Sequence, residues 1–228
     1  MKYEVKGAPM PVVECILNPE ESMICDAGAM AYMSDNVEMK TSTNGGIKKV
    51  FSRMFSGETL FQNIYTAKEK EGMIAFASSF PGDIIPFDVD ENHEYIIQKK
   101  AFLASTSEVK TEISFQKKLG VGFFGGEGFI MQRVYGRGKC FLEVDGSPIS
   151  YQLKDGERMV VNSGYLVMMD STCSIDIKSV GGVKNSLFGG EGFFNTIITG
   201  PGKIVIQTMP MVEIAKALIP FLPTNNKG

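Results

Sequence analysis

Short stretches in which apolar residues dominate or alternate with polar ones run along most of the chain, punctuated by glycine. Met23-Ile24-Cys25, Tyr95-Ile96-Ile97 and Met159-Val160-Val161 read as strands, as do Met73-Ile74-Ala75-Phe76, Phe141-Leu142-Glu143-Val144 and Val205-Ile206-Gln207-Thr208. The last two are entered through glycine turns, Gly136-Arg137-Gly138 and Gly200-Pro201-Gly202. Asp145-Gly146 and Asp155-Gly156 are hairpin signals between alternating runs, and Pro81-Gly82 aligns with the first of them, which predicts a turn there too. Two segments carry a helical period instead. Ile47, Val50, Phe51, Met54 and Phe55 form one stripe, and Met211, Ile214, Ala215 and Leu218 form another within 211–219, bracketed by Pro210 and Pro220. The pattern predicts an all-β protein with one or two short peripheral helices.

Internal repetition sharpens that expectation. Phe-Gly-Gly-Glu-Gly-Phe occurs at Phe124–Phe129 and again at Phe188–Phe193, with a worn copy, Phe55-Ser56-Gly57-Glu58-Thr59-Leu60, upstream. A second block recurs as Gly28-Ala29-Met30-Ala31-Tyr32-Met33-Ser34, Lys100-Ala101-Phe102-Leu103-Ala104-Ser105-Thr106 and Gly164-Tyr165-Leu166-Val167-Met168-Met169-Asp170. Val37, Val109 and Cys173 follow these blocks at the same offset. Three copies of two blocks predict three related β units within one domain, residues 1–228. One such unit cannot cover its own apolar face, so the three are expected to close on each other with pseudo-threefold symmetry.

Composition and charge exclude more than they assign. The chain has 228 residues, 43% hydrophobic and 21% charged, enough to bury a sizeable core. A net charge of −3 gives no general attraction to nucleic acid or anionic lipid, so nucleic acid is not an expected partner. Cys15, Cys25, Cys140 and Cys173 have apolar neighbours and no Cys-x-x-Cys spacing, which predicts buried free thiols in a reducing compartment. The N-terminus shows neither a signal nor a transit pattern, and no run approaches the roughly 18–20 apolar residues of a membrane span. Cytoplasmic residence is the expectation.

Candidate chemistry is sparse. His93, the single histidine, falls at a turn; with no Cys cluster beside it the usual zinc sites cannot be assembled in one chain, and a Ser-His-Asp triad would have to use His93, without a Gly-x-Ser-x-Gly elbow; no catalytic residue, metal site or cofactor is predicted. In the repeated loops, Gly57, Gly125, Gly126, Gly128, Gly189, Gly190 and Gly192 permit a tight turn, and Glu58, Glu127 and Glu191 can accept backbone N–H bonds there. The functional alternative for those glutamates is convergence on one small-ligand or hard-cation site. Lys48, Lys49 and Arg53 form a basic cluster that is either solvated or a contact for an acidic partner or an anionic membrane surface.

Gly28–Ser34, the Ser56-Gly57-Glu58-Thr59-Leu60-Phe61 stretch after a basic helix, and the Phe-Gly-Gly-Glu-Gly-Phe loop resemble, in this order, the "altered inheritance of mitochondria 24-like" family over about residues 1–220. The resemblance implies a fold similar to the tryptophan-RNA-binding attenuation protein, a double-stranded β-helix arrangement repeated about a pseudo-threefold axis. It brings no catalytic residues, since the family's members are mostly uncharacterised. Its fungal members are mitochondrial and linked to inner-membrane organisation, and this chain, without a transit pattern, looks like the compact prokaryotic form. Residues and resemblance together lead to a non-enzymatic, homo-oligomeric scaffold or interaction protein, with a protein or a membrane surface as partner. The alternative is a small-ligand or cation-binding protein using the Gly-Glu loops.

Overall fold

A computed structural model describes residues 1–42, 62–117, 128–179, 194–218 and 221. The chain is built almost entirely of antiparallel strands. β1 (Lys2–Lys6) precedes a first unit of β2 (Val12–Leu17), β3 (Ser22–Asp26), β4 (Met30–Met33), β5 (Val37–Ser42), β6 (Gln62–Ala67) and β7 (Gly72–Ala77). The second unit is β8 (Gly82–Val89), β9 (Tyr95–Gln98), β10 (Phe102–Thr106), β11 (Val109–Lys117), β12 (Phe129–Gly136) and β13 (Gly138–Asp145). The third is β14 (Pro148–Leu153), β15 (Arg158–Asn162), β16 (Leu166–Asp170), β17 (Ser174–Ser179), β18 (Phe194–Thr199) and β19 (Gly202–Gln207), followed by helix α1 (Met211–Leu218). The helical period at 211–219 thus gives a helix; the one at 47–55 lies outside the described residues. Among the described residues no helix is long and apolar enough to cross a membrane.

Each unit pairs its six strands by one scheme. The second strand of the scheme pairs with the fifth, and the fifth with the fourth: β3·β6·β5, β9·β12·β11 and β15·β18·β17. The first pairs with the sixth, and the sixth with the third: β2·β7·β4, β8·β13·β10 and β14·β19·β16. A β-bulge sits at the same place in all three, between Met30 and Tyr32, Phe102 and Ala104, and Leu166 and Met168. It shifts the pleat by one residue and re-aims the side chains beyond it.

One side-chain latch also recurs with three different residues. Ser34 Oγ accepts the Met73 N–H at 3.0 Å, Thr106 Oγ1 accepts that of Lys139 at 3.1 Å, and Asp170 Oδ2 accepts that of Lys203 at 2.7 Å. These residues close the repeated block of the sequence, and what the position requires is a short oxygen acceptor for an otherwise unpaired donor. The facing glycines leave it room. A Cβ on Gly138, at φ +146°, would lie 2.0 Å from Thr106 Oγ1, and one on Gly202, at φ +150°, 2.6 Å from Cys173 Sγ.

Asp145-Gly146 and Asp155-Gly156 are turns, with Gly146 at φ +76° and Gly156 at φ +70°, but they are not hairpins. β13 pairs with β8 and β10, β14 with β19, and β15 with β18, so both turns carry the chain from one sheet to another. Local turn chemistry specifies a reversal and leaves the partner open. That choice falls to the apolar faces, which gain more by enclosing a core between two sheets than by pairing with the nearest strand.

Three core clusters result, and each draws on two units. Val13, Leu17, Met23 and Phe76 pack with Leu103, Ala104 and Phe141 of the second unit. Val134, Cys140 and Leu142 pack with Val167, Met168 and Val205 of the third. Leu166, Ile198 and Ile204 pack with Ile96, Phe129 and Met131 of the second. Val37, Val109 and Cys173, matched in the sequence, are all buried. All four cysteines are free and buried.

Candidate functional site

Consecutive units are joined by strand pairing, and the two joints are built alike. β3 lies antiparallel to β10, with Cys25 opposite Ala104, Ile24 opposite Ser105 and Met23 opposite Thr106. β9 lies antiparallel to β16, with Ile97 opposite Met168, Ile96 opposite Met169 and Tyr95 opposite Asp170. Each joint fuses the half-sheet of one unit with that of the next into a six-stranded sheet, β5-β6-β3-β10-β13-β8 and then β11-β12-β9-β16-β19-β14.

A third joint of the same kind would pair β15 with β4, and among the described residues that pairing is not made. Among the described residues β4 ends the sheet β1-β2-β7-β4, and β15 ends the sheet β15-β18-β17. Two of the three joints expected of closed units are thus made by strand pairing, and the strands of the third, β4 and β15, each end a sheet. The shared bulge and register align these two strands with the strands of the inner joints residue by residue. Tyr32, Met33 and Ser34 stand where Ala104, Ser105 and Thr106 stand, and Met159, Val160 and Val161 stand where Met23, Ile24 and Cys25 stand.

The ends are apolar and uncovered. Tyr32 is 43% exposed where Ala104 is 0% and Met168 4%; Met33 is 37% exposed where Ser105 is 1% and Met169 2%. Val160 is 62% exposed where Ile96 is 7%. A free sheet edge is normally blunted by charge or proline. The other edge strands carry such residues: Lys2, Glu4 and Lys6 on β1, Glu38 and Lys40 on β5, Pro86 on β8, Lys110 and Glu112 on β11, Pro148 on β14, Asp176 and Lys178 on β17. β4, Met-Ala-Tyr-Met, carries none, and β15 has only Arg158 at its start.

Both edges are held in place by their own units. The Tyr32 hydroxyl donates to Glu14 Oε1 at 2.8 Å, and Lys6 Nζ donates to the other oxygen of that carboxylate. The Lys6 bond first, and Tyr32 second, hold the Glu14 carboxyl below its ordinary pKa, while the Glu14 carboxylate pushes the Tyr32 phenol up. On β15 the Asn162 side chain accepts the Gly164 N–H at 3.2 Å. Beside it the Ser163 and Thr196 hydroxyls share a buried bond of 2.8 Å. An edge already ordered loses little conformational entropy on pairing.

Glu58, Glu127 and Glu191 lie outside the described residues, as do Gly57, Gly125, Gly126, Gly189, Gly190, Gly192 and the cluster Lys48, Lys49 and Arg53. Gly128 is described and sits at φ +85°, the left-handed conformation that glycine admits freely. His93 is the exposed turn residue expected: its N–H donates to the Asp90 carbonyl at 3.2 Å, and its ring stacks on Tyr95 at 5.3 Å between centroids. Burial pushes the Cys15 and Cys25 thiols up to about 12 and raises Cys140 and Cys173 too, so none is poised as a nucleophile. The two edges were missed in the sequence, although it held a signal. At equivalent positions Tyr32-Met33 replaces Ala104-Ser105, and a large apolar pair on an outermost strand asks for a cover.

Comparison with known proteins agrees with this architecture. The chain is 30% identical over 236 aligned positions to an uncharacterized protein of Streptococcus pyogenes serotype M6, covering 99% of this chain and 93% of that one. The X-ray crystal structure of a Streptococcus pyogenes protein superposes with a TM-score of 0.80 at 27% identity, over 97% of this chain and 99% of that one. The family described as mitochondrial biogenesis AIM24 matches residues 3–209. The chain belongs to that family.

Proposed function

We propose that the chain is a non-enzymatic building block that assembles with copies of itself head to tail, β15 of one copy pairing with β4 of the next. The observation that carries this reading is that the same two strand positions pair twice inside the chain, in one register, and are left open once. The joint then repeats the internal ones, Val161 opposite Tyr32, Val160 opposite Met33 and Met159 opposite Ser34. Such an interface is heterologous, because two different surfaces meet, so copies add in one direction and end in a ring or a filament according to the rotation per step. The role follows as a scaffold: a repetitive β array whose loops and C-terminal helix are displayed at a fixed spacing. Sedimentation velocity of the purified protein tests it. A multiple of the protomer mass that dissociates on dilution is expected, and a protomer unchanged up to high concentration would remove the reading.

A further inference from the structure

A cleft of about 570 Å³ opens where all three units meet. Its walls come from the β3–β4 turn of the first unit, residues 98–103 of the second, the start of the 3-10 turn at Gly164 in the third, and one face of α1. Ala29, Phe102, Leu103 and Val212 make much of the lining apolar. An apolar cleft of this size with a few convergent polar groups has the character of a small-molecule site.

Carboxylates and amides supply the polar groups of the interior. Glu143 accepts the Ser79 N–H at 2.6 Å on one oxygen and the Ser79 hydroxyl at 3.2 Å on the other, with the Ser78 hydroxyl at 3.4 Å. Asp145 Oδ2 accepts the Met211 N–H at 2.8 Å, tying the start of α1 to β13. Gln207 is satisfied, donating to the Gly164 carbonyl at 2.8 Å and accepting the Asp145 N–H at 3.0 Å. Gln98 is different. It is 6% exposed and lines the cleft, yet its amide has no hydrogen-bond partner among the described residues, nor is it sealed away in the protein. An amide so placed carries a desolvation cost that a bound partner would relieve. Asp26, Lys99 and Lys100 also line the cleft, Lys100 close enough to Asp145 for its charge to act on that carboxyl.

We infer that this cleft binds a small organic amine, its apolar body against Phe102, Leu103 and Val212 and its ammonium group donating to the Glu143 carboxylate and the Gln98 amide oxygen. Three carboxylates, Asp26, Glu143 and Asp145, line the cleft against two lysines, so a cationic donor fits beside Glu143 where a carboxylate would meet like charge. Burial raises the pKa of both Glu143 and Asp145; Lys100 offsets part of this at Asp145, whereas Glu143 has only hydrogen-bond donors against its burial, and a bound ammonium would supply a counter-charge there. This inference is independent of assembly through β4 and β15.

The test is isothermal titration calorimetry of the intact protein with hexylamine, phenethylamine, hexanol and hexanoate. The amines are expected to bind saturably and the alcohol and the acid at least tenfold more weakly. Glu143→Gln should weaken hexylamine at least tenfold, and Ala215→Trp, which fills the cleft from α1, should abolish binding while the melting profile stays cooperative. No saturable binding of either amine, equal binding of hexanol or hexanoate, or binding indifferent to both substitutions overturns the inference.

Discussion

Replacing Val160 by lysine separates the joint from the fold. Val160 is 62% exposed in the single copy, so the substitution leaves no cavity and places a charge in water. At the corresponding inner position, Ile96 is 7% exposed, and the same change there would bury the charge within the protomer. In the proposed joint Val160 faces Met33 and becomes covered. Full burial of a valine is worth roughly 1.5–3 kcal/mol, so covering the exposed share contributes ~1–2 kcal/mol to each joint. Lysine forfeits that and must hold its ammonium clear of an apolar contact, for a total loss of about 2–4 kcal/mol per joint. At 1.4 kcal/mol per factor of ten, the joint weakens roughly 30- to 700-fold. Sedimentation equilibrium of wild type and V160K over a hundredfold concentration range reads this directly, with circular dichroism melting as the control for the fold. V160K should be a folded protomer where the wild type is assembled. A V160K assembly of wild-type mass and affinity would refute the reasoning, because no register that buries β15 tolerates the charge at its centre.

A disulfide trap tests the register itself: cross-strand Cα distances of about 4.5–5.5 Å suit a disulfide. Met33→Cys with Val160→Cys should therefore give a ladder of covalent oligomers on non-reducing gels, and Met33→Cys with Arg158→Cys should not; the buried native thiols leave the background low. Gly138→Ala should destabilise the protomer by about 2 kcal/mol or more in urea, since φ is +146° and the added Cβ meets Thr106 Oγ1; a loss under about 0.5 kcal/mol would mean that the latch yields easily. Glu143 predicts a pH dependence. Its folded pKa is raised by burial above the unfolded value, so between the two the folded state binds the extra proton and stability rises as pH falls through that window. Glu143→Gln should remove this component and flatten urea midpoints measured from neutrality down into the ordinary carboxylate range; an unchanged slope would assign the effect elsewhere.

The all-β class, the three-unit register and the terminal helix were legible because they rest on local signals. A strand period, a repeated block or a pair of bracketing prolines can be read within about ten residues. Even the latch was foreshadowed, since the repeated block ends on Ser34, Thr106 and Asp170, all short oxygen acceptors. Partner choice was not legible. Asp145-Gly146 signals a hairpin, yet β13 and β14 go to different sheets, because two sheets around a core bury more apolar surface than a hairpin would. The cleft escaped for the same reason. Glu143 is one acidic residue among many until Ser78, Ser79, Gln98 and α1 are brought beside it from distant parts of the chain. The conspicuous Phe-Gly-Gly-Glu-Gly-Phe loops drew the sequence reading to Glu127 and Glu191, while the opposed blocks around Gly28, Lys100 and Gly164 build the cleft.

The repeated joint has two thermodynamic roles in the proposed assembly. At β3·β10 and β9·β16 the partners are on the same chain, so the joint forms at high effective concentration and its apolar contacts become part of the core. In the proposed β15·β4 joint the partners would be on different copies, so association would also have to meet the loss of translational and rotational freedom, and the joint would depend on concentration. The first inner joint places Ala104 and Ser105 opposite Cys25 and Ile24, and the second places Met168 and Met169 opposite Ile97 and Ile96; the outer joint would set Tyr32 and Met33 against Val161 and Val160, an apolar set like that of the second. Dilution should therefore separate copies without melting any of them, and the two inner joints should survive in every protomer released.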